Sequence, residues 1–112
     1  MERDPHGIDA HEPGAKLDAG KSRVGLMMRG FARALYRVAD VTTIGAEKYS
    51  PEGWLDVHNA VERYDDAKGR HLLSGYIADI DPDTNIEHLA QEAWNALAKL
   101  ELILRQREKD IV

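Results

Sequence analysis

Two stretches of the chain carry residues whose types and spacing suit metal or acid–base chemistry. Glu62, Asp65 and Asp66 lie in VERYDDAKGRHL, and His88, Glu92 and Asn95 lie in IEHLAQEAWNAL. Both stretches have helical periodicity, and i, i+3 and i, i+4 spacing brings such groups to one side of a helix. Glu62 with Asp65, and Glu92 with Asn95, flank apolar stripes rather than oppose them, so antiparallel packing of two such helices would bring the four together. Like charges facing each other in partial burial are costly. Mg²⁺ or Mn²⁺, hard ions that take carboxylate, carbonyl and water oxygens, would relieve that cost. The competing reading is a solvated face, with an Arg63–Asp66–Arg70 ion-pair ladder of the kind that contributes little at a surface.

Three helices must position these groups. From Val24 to about Ala46, Met27, Phe31, Leu35, Val38 and Val41 recur at intervals of three and four while Arg29, Arg33 and Arg37 take another face, the pattern of an amphipathic helix. Ser50-Pro51-Glu52-Gly53 reads as a turn. At that corner Trp54 packs on the core, and Lys48 and Tyr49 either contact a base and a phosphate or pack the loop. A second helix runs from about Trp54 to Leu73, with Val57, Val61, Tyr64 and Leu72 on one arc. GYIADIDPDTN breaks it. Asp79, Asp81 and Asp83 lack the glycine and distal glutamate of a calcium loop and read as turn formers and helix caps. Thr84 or Asn85 caps a third helix, about Ile86 to Lys109, that buries Leu89, Ala93, Ala96, Leu97, Leu100, Ile103 and Leu104.

The sequence predicts an all-α fold: three main helices in an antiparallel bundle completed by oligomerisation, with a non-helical N-terminal segment. At 112 residues there is room for one core, and so small a core is often finished by a second copy. Residues 1–13 read as a flexible tail and 14–112 as a single domain. A net charge of −5 argues against nucleic acid as the partner, because phosphate backbones need clustered Lys and Arg. The chain has no cysteine, which excludes thiolate metal sites and disulfides. No apolar run reaches membrane-spanning length, and a soluble, cytoplasmic protein is expected.

The segment GAKLDAGKSR contains a permissive phosphate-loop pattern, Ala15-x-x-x-x-Gly20-Lys21-Ser22. That loop works only between a buried strand and a helix, and GIDAHEPG is no strand. What survives is a basic loop in which Lys16, Lys21 and Arg23 can reach a polyphosphate, set against a merely solvated loop.

Taken together, GAKLDAGKSR, TTIGAEKYSPEGW, RYDDAKGRHL and DPDTNIEHLAQEAWNALAKLEL resemble the phage and bacterial family named for an N-terminal dATP/dGTP diphosphohydrolase domain. More broadly the pattern is similar to the MazG-like all-α nucleoside triphosphate pyrophosphohydrolases. The resemblance implies an oligomer, a homodimer or homotetramer, that cleaves a purine nucleoside triphosphate, dGTP or dATP, to the monophosphate and pyrophosphate with Mg²⁺ or Mn²⁺. It implies a role in the nucleotide pool during phage replication, in the cytoplasm of a bacterium or an infected host cell. The superfamily's E-x-x-E and E-x-x-D signatures fall on Glu62-x-x-Asp65 and Glu92-x-x-Asn95. This makes Glu62, Asp65 and Glu92 the catalytic candidates and Glu62, Asp65, Asp66, Glu92 and Asn95 the metal candidates, with Asp66 or His88 completing the shell. Lys16, Lys21, Arg23, Lys48, Tyr49, Arg63, Arg70 and His88 are the substrate-binding candidates. Two other readings stand beside it: a non-catalytic helical nucleotide-binding or oligomerisation module, and a phosphohydrolase using His71 and His88.

Overall fold

The computed structural model describes residues 1–111 and is all-α apart from one two-stranded ladder. Its elements are α1 (Val24–Gly30), α2 (Ala32–Lys48), a 3-10 turn (Gly53–Asp56), α3 (Ala60–Gly75), β1 (Ile80–Asp81), β2 (Ile86–Glu87) and α4 (His88–Ile111). The chain forms two compact units, Met1–Phe31 and the part from Ala32 onward. No helix among the described residues is long and apolar enough to cross a membrane.

The N-terminal unit is built around a carboxylate. Asp4 is buried. One of its oxygens accepts the His6 and Ile8 N–H groups at 2.7 and 3.4 Å, and the other accepts the Lys16 N–H at 2.8 Å. The Ala19 N–H donates to the Arg3 carbonyl at 2.9 Å, so the first residues are tied to the loop that follows them. The helix expected over 24–46 is divided at Phe31. Gly30 precedes the break, and a glycine weakens a helix by roughly 1 kcal/mol relative to alanine. Helix α1 buries none of its residues, and Phe31, expected on a buried stripe, is 58% exposed.

In the second unit α3 packs along α4, and α2 packs less extensively on α4. Helix α3 starts at Ala60 rather than near Trp54, because Gly53–Asp56 forms the 3-10 turn and Asn59 takes a left-handed conformation (φ 54°) that a right-handed helix cannot include. The segment expected to be loop contains an antiparallel ladder pairing Ile80 with Glu87 and Asp81 with Ile86. Asp81 closes its turn, the backbone carbonyl accepting the Asn85 N–H at 2.8 Å and the carboxylate accepting the Asp83 N–H at 2.9 Å. Asn85 sits at φ 59° in that turn, a conformation asparagine tolerates better than most residues.

The ladder delivers the chain into α4 on a particular side. The His88 N–H donates to the Asp79 carbonyl at 2.9 Å, and the buried face of α4 runs through Gln91, Asn95 and Ala98. The sequence pattern favours a face through Leu89 and Leu97, yet Leu89 is 70% exposed. The buried amides are satisfied locally: Gln91 Nε2 donates to the Ile86 carbonyl at 3.4 Å and Asn95 Nδ2 to the Gln91 carbonyl at 2.8 Å.

The three N–H groups converging on Asp4, that of Lys16 foremost, hold its carboxyl below the usual aspartate value of 3.8. The folded N-terminal unit therefore binds fewer protons than the unfolded chain. Its stabilisation by Asp4 is complete above the ordinary value and is lost as pH falls through the depressed one. Amide hydrogen exchange should show Lys16 and His6 protected at neutral pH, the protection failing in acid. Asp4→Asn should remove the protection of Lys16 or of His6 at every pH, since its amide keeps one acceptor oxygen and presents a donor to the other N–H.

Candidate functional site

A groove of about 1000 Å³ lies within the second unit, bounded by α2, the 3-10 turn, α3 and α4. Its wall is aromatic. Trp54 and Tyr64 each meet Trp94 edge to face, with centroids 5.9 and 5.6 Å apart. The Tyr64 hydroxyl donates to the Trp54 carbonyl at 2.7 Å, and the Trp94 indole donates to Thr42 Oγ1 at 3.1 Å. Trp54 thus packs as its position suggested, and it also faces the groove.

Polar groups enter from α3 and α4. Arg63, Asp66 and Arg70 line the groove with Asn95 and Glu101. The Arg63–Asp66–Arg70 ladder does not form: among the described residues no ion pair involves any of the three. The Arg63 guanidinium donates to the His58 carbonyl at 3.2 Å. The groove rim therefore presents two exposed cations and one exposed carboxylate that pair with no protein group among the described residues, and the excess cation favours an anionic ligand. Tyr49 lines the same groove, and Lys48 Nζ lies 5.2 Å from its ring centroid, a cation–π contact.

The other expected acids lie elsewhere. Glu62 and Asp65 line a shallow hollow beside Lys99. Lys99 Nζ reaches Asp65 at 2.9 Å and Lys68 Nζ reaches it at 3.4 Å. The Lys99 hydrogen bond, and after it that from Lys68, holds the Asp65 carboxyl below the usual range. The register of α3 on α4 explains the separation. Asp65 lies level with Lys99 and His71 with His88, so Glu92 falls between those two levels and away from Glu62. The four signature positions therefore do not form one cluster, and Asn95 shares its groove with Asp66. Lys16, Lys21 and Arg23 belong to the N-terminal unit, where Lys21 Nζ pairs with Glu2 at 3.0 Å.

One sequence reading named His71 and His88; the structure adds Asp81 to them. His71, Asp81 and His88 bring one ring nitrogen or carboxylate oxygen each within 4.8 Å of one another, and among the described residues they are the group of three or more His, Asp or Glu side chains that does so. The ring Nδ1 atoms of His71 and His88 are 3.0 Å apart. His71 is held below the usual histidine value of 6.5, mainly by burial and then by the neighbouring His88, with Asp81 and Glu92 acting the other way. The signal that could have found the trio was the DPDTN turn, which folds the chain back so that residues on either side of it meet.

The family described as "dATP/dGTP diphosphohydrolase, N-terminal" matches residues 11–111. The chain belongs to that family. Neither a curated protein nor a solved structure matches it. In this diphosphohydrolase-family domain the groove brings aromatic rings and arginines without ion-pair partners together.

Trp94 holds that wall. Trp94→Ala should remove the two edge contacts and the bond to Thr42, lowering stability by about 3 kcal/mol. Urea unfolding followed by circular dichroism would read the loss.

Proposed function

We propose that the groove binds a purine deoxynucleoside triphosphate, dGTP or dATP, and that the protein hydrolyses it to the monophosphate and pyrophosphate. The observation carrying this reading is the placement of Arg63, Arg70, Asp66 and Asn95, free of ion pairs, along a groove walled by tryptophan and tyrosine. The base would lie against the Tyr49 and Trp54 side, since aromatic faces accept any base. The arginines would take the phosphates through paired N–H groups.

In the reaction a water oxygen attacks the α-phosphorus and the bond to the bridging β-phosphate oxygen breaks. Pyrophosphate leaves with the electron pair of that bond. Asp66 would orient the water and accept its proton, and Arg70 or Arg63 would neutralise the leaving group. Mg²⁺ or Mn²⁺ is the metal proposed. The donor set fits such an ion, which takes one or two carboxylates, with substrate phosphates and water filling the rest. Asp66 and Asn95 Oδ1 would hold it, the Asn95 amide nitrogen being already committed to the Gln91 carbonyl. Bound there, it would neutralise charge spread over the phosphates. Asp65, between two lysines, is the poorer ligand, and Glu62 and Glu92 would act from beside the groove. A second copy of the chain would cover Leu89, which α4 exposes outside the groove. The dispersal of the acidic signature favours a second reading, a nucleotide-binding module without turnover.

Incubating the protein with each dNTP and NTP in Mg²⁺ or Mn²⁺, with chromatographic identification of products, separates the two. dGTP or dATP should yield monophosphate and pyrophosphate; binding without products would select the second reading. Asp66→Asn should abolish turnover and spare nucleotide binding. Arg70→Ala should weaken binding about tenfold, roughly 1.4 kcal/mol, and Glu92→Ala should lower activity while α4 stays intact.

A further inference from the structure

We propose that His71, Asp81 and His88 form a binding site for a first-row transition-metal dication of the Zn²⁺ or Co²⁺ class, separate from the groove. The three side chains come from α3, β1 and the first residue of α4, and none of them lines the groove. Their donor atoms already lie within 4.8 Å of one another. The 3.0 Å between the two Nδ1 atoms suits two imidazoles on one ion. Bonds of about 2.1 Å at right angles put cis nitrogens about 3.0 Å apart, and tetrahedral bonds put them about 3.4 Å apart.

The setting of Asp81 points the same way. The side chain is buried, and among the described residues no Lys or Arg pairs with it. A buried carboxylate without a counter-charge is costly. One of its oxygens is oriented by the Asp83 N–H, the kind of outer hydrogen bond that fixes a ligating carboxylate. Its second oxygen remains for the ion. Glu92, at i+4 from His88 and near enough to His71 to act on its charge, adds negative potential on the same side. Two imidazoles select Zn²⁺, Co²⁺ or Ni²⁺ over Mg²⁺. The ion would clamp the β1–β2 turn and the start of α4 to α3, stabilising the folded unit by mass action.

The test uses the full chain, stripped with a chelator and free of nucleotide, so that its result is independent of the pyrophosphohydrolase reading. Titration with CoCl₂ should produce saturable visible absorption bands, and ZnCl₂ should displace the Co²⁺ and raise the Tm by about 5 °C. Excess MgCl₂ should do neither. His71→Gln and Asp81→Asn, each checked by circular dichroism, should lose the bands, whereas a chain with His6→Gln and His11→Gln should keep them. Absence of bands and of a Tm rise in the unaltered chain would overturn the site in favour of a hydrogen-bonded histidine pair. Bands that survive both His71→Gln and Asp81→Asn would also overturn it.

Discussion

The second unit depends on the turn that Asp81 closes. Its backbone carbonyl and its carboxylate each accept an N–H from within the turn, and the short ladder on either side fixes where α4 begins. Because α3 and α4 are joined only through this turn, its length and register decide which residues of one helix stand level with which of the other. Asp65 meets Lys99, and His71 meets His88. Every placement of charge in the groove and around the histidines follows from that register.

Electrostatics then divides the acidic face into two environments. On one side of α3, Asp65 is neutralised by two lysines, an arrangement that stabilises a partly exposed carboxylate and leaves it little capacity for another cation. On the groove side Asp66 has no such partner, and two arginines stand beside it unpaired. Adjacent residues in sequence thus have opposite prospects, because consecutive positions on a helix point about 100° apart.

The core of this unit is small and unusually polar. Ile86, Ala90 and Ala98 are its buried apolar residues, and Asp81, His88, Gln91 and Asn95 are buried with them. The amides are satisfied by carbonyls of the preceding turn, so they cost little. Much of the remaining cohesion rests on Trp54, Tyr64 and Trp94, whose edge-to-face contacts also make the groove wall. One set of aromatic residues therefore supports the packing and shapes the site.

The all-α class, the helical stretches and the family were legible in the chain, because periodicity, turn residues and motif order are local properties. The aromatic corner and the candidate status of Asp66, Arg63 and Arg70 could also be read there. Three things could not. The break at Phe31 and the rotation of α4 that buries Asn95 in place of Leu89 depend on what each face packs against. The separation of Glu62 and Asp65 from Glu92 depends on interhelical register, which side-chain periodicity leaves open by whole turns. The meeting of His71, Asp81 and His88 depends on a turn whose hydrogen bonds form only when the chain has doubled back. Sequence determined which residues share a helix face; tertiary structure decided which faces meet, since that is set by one turn's geometry and not by the composition of either helix.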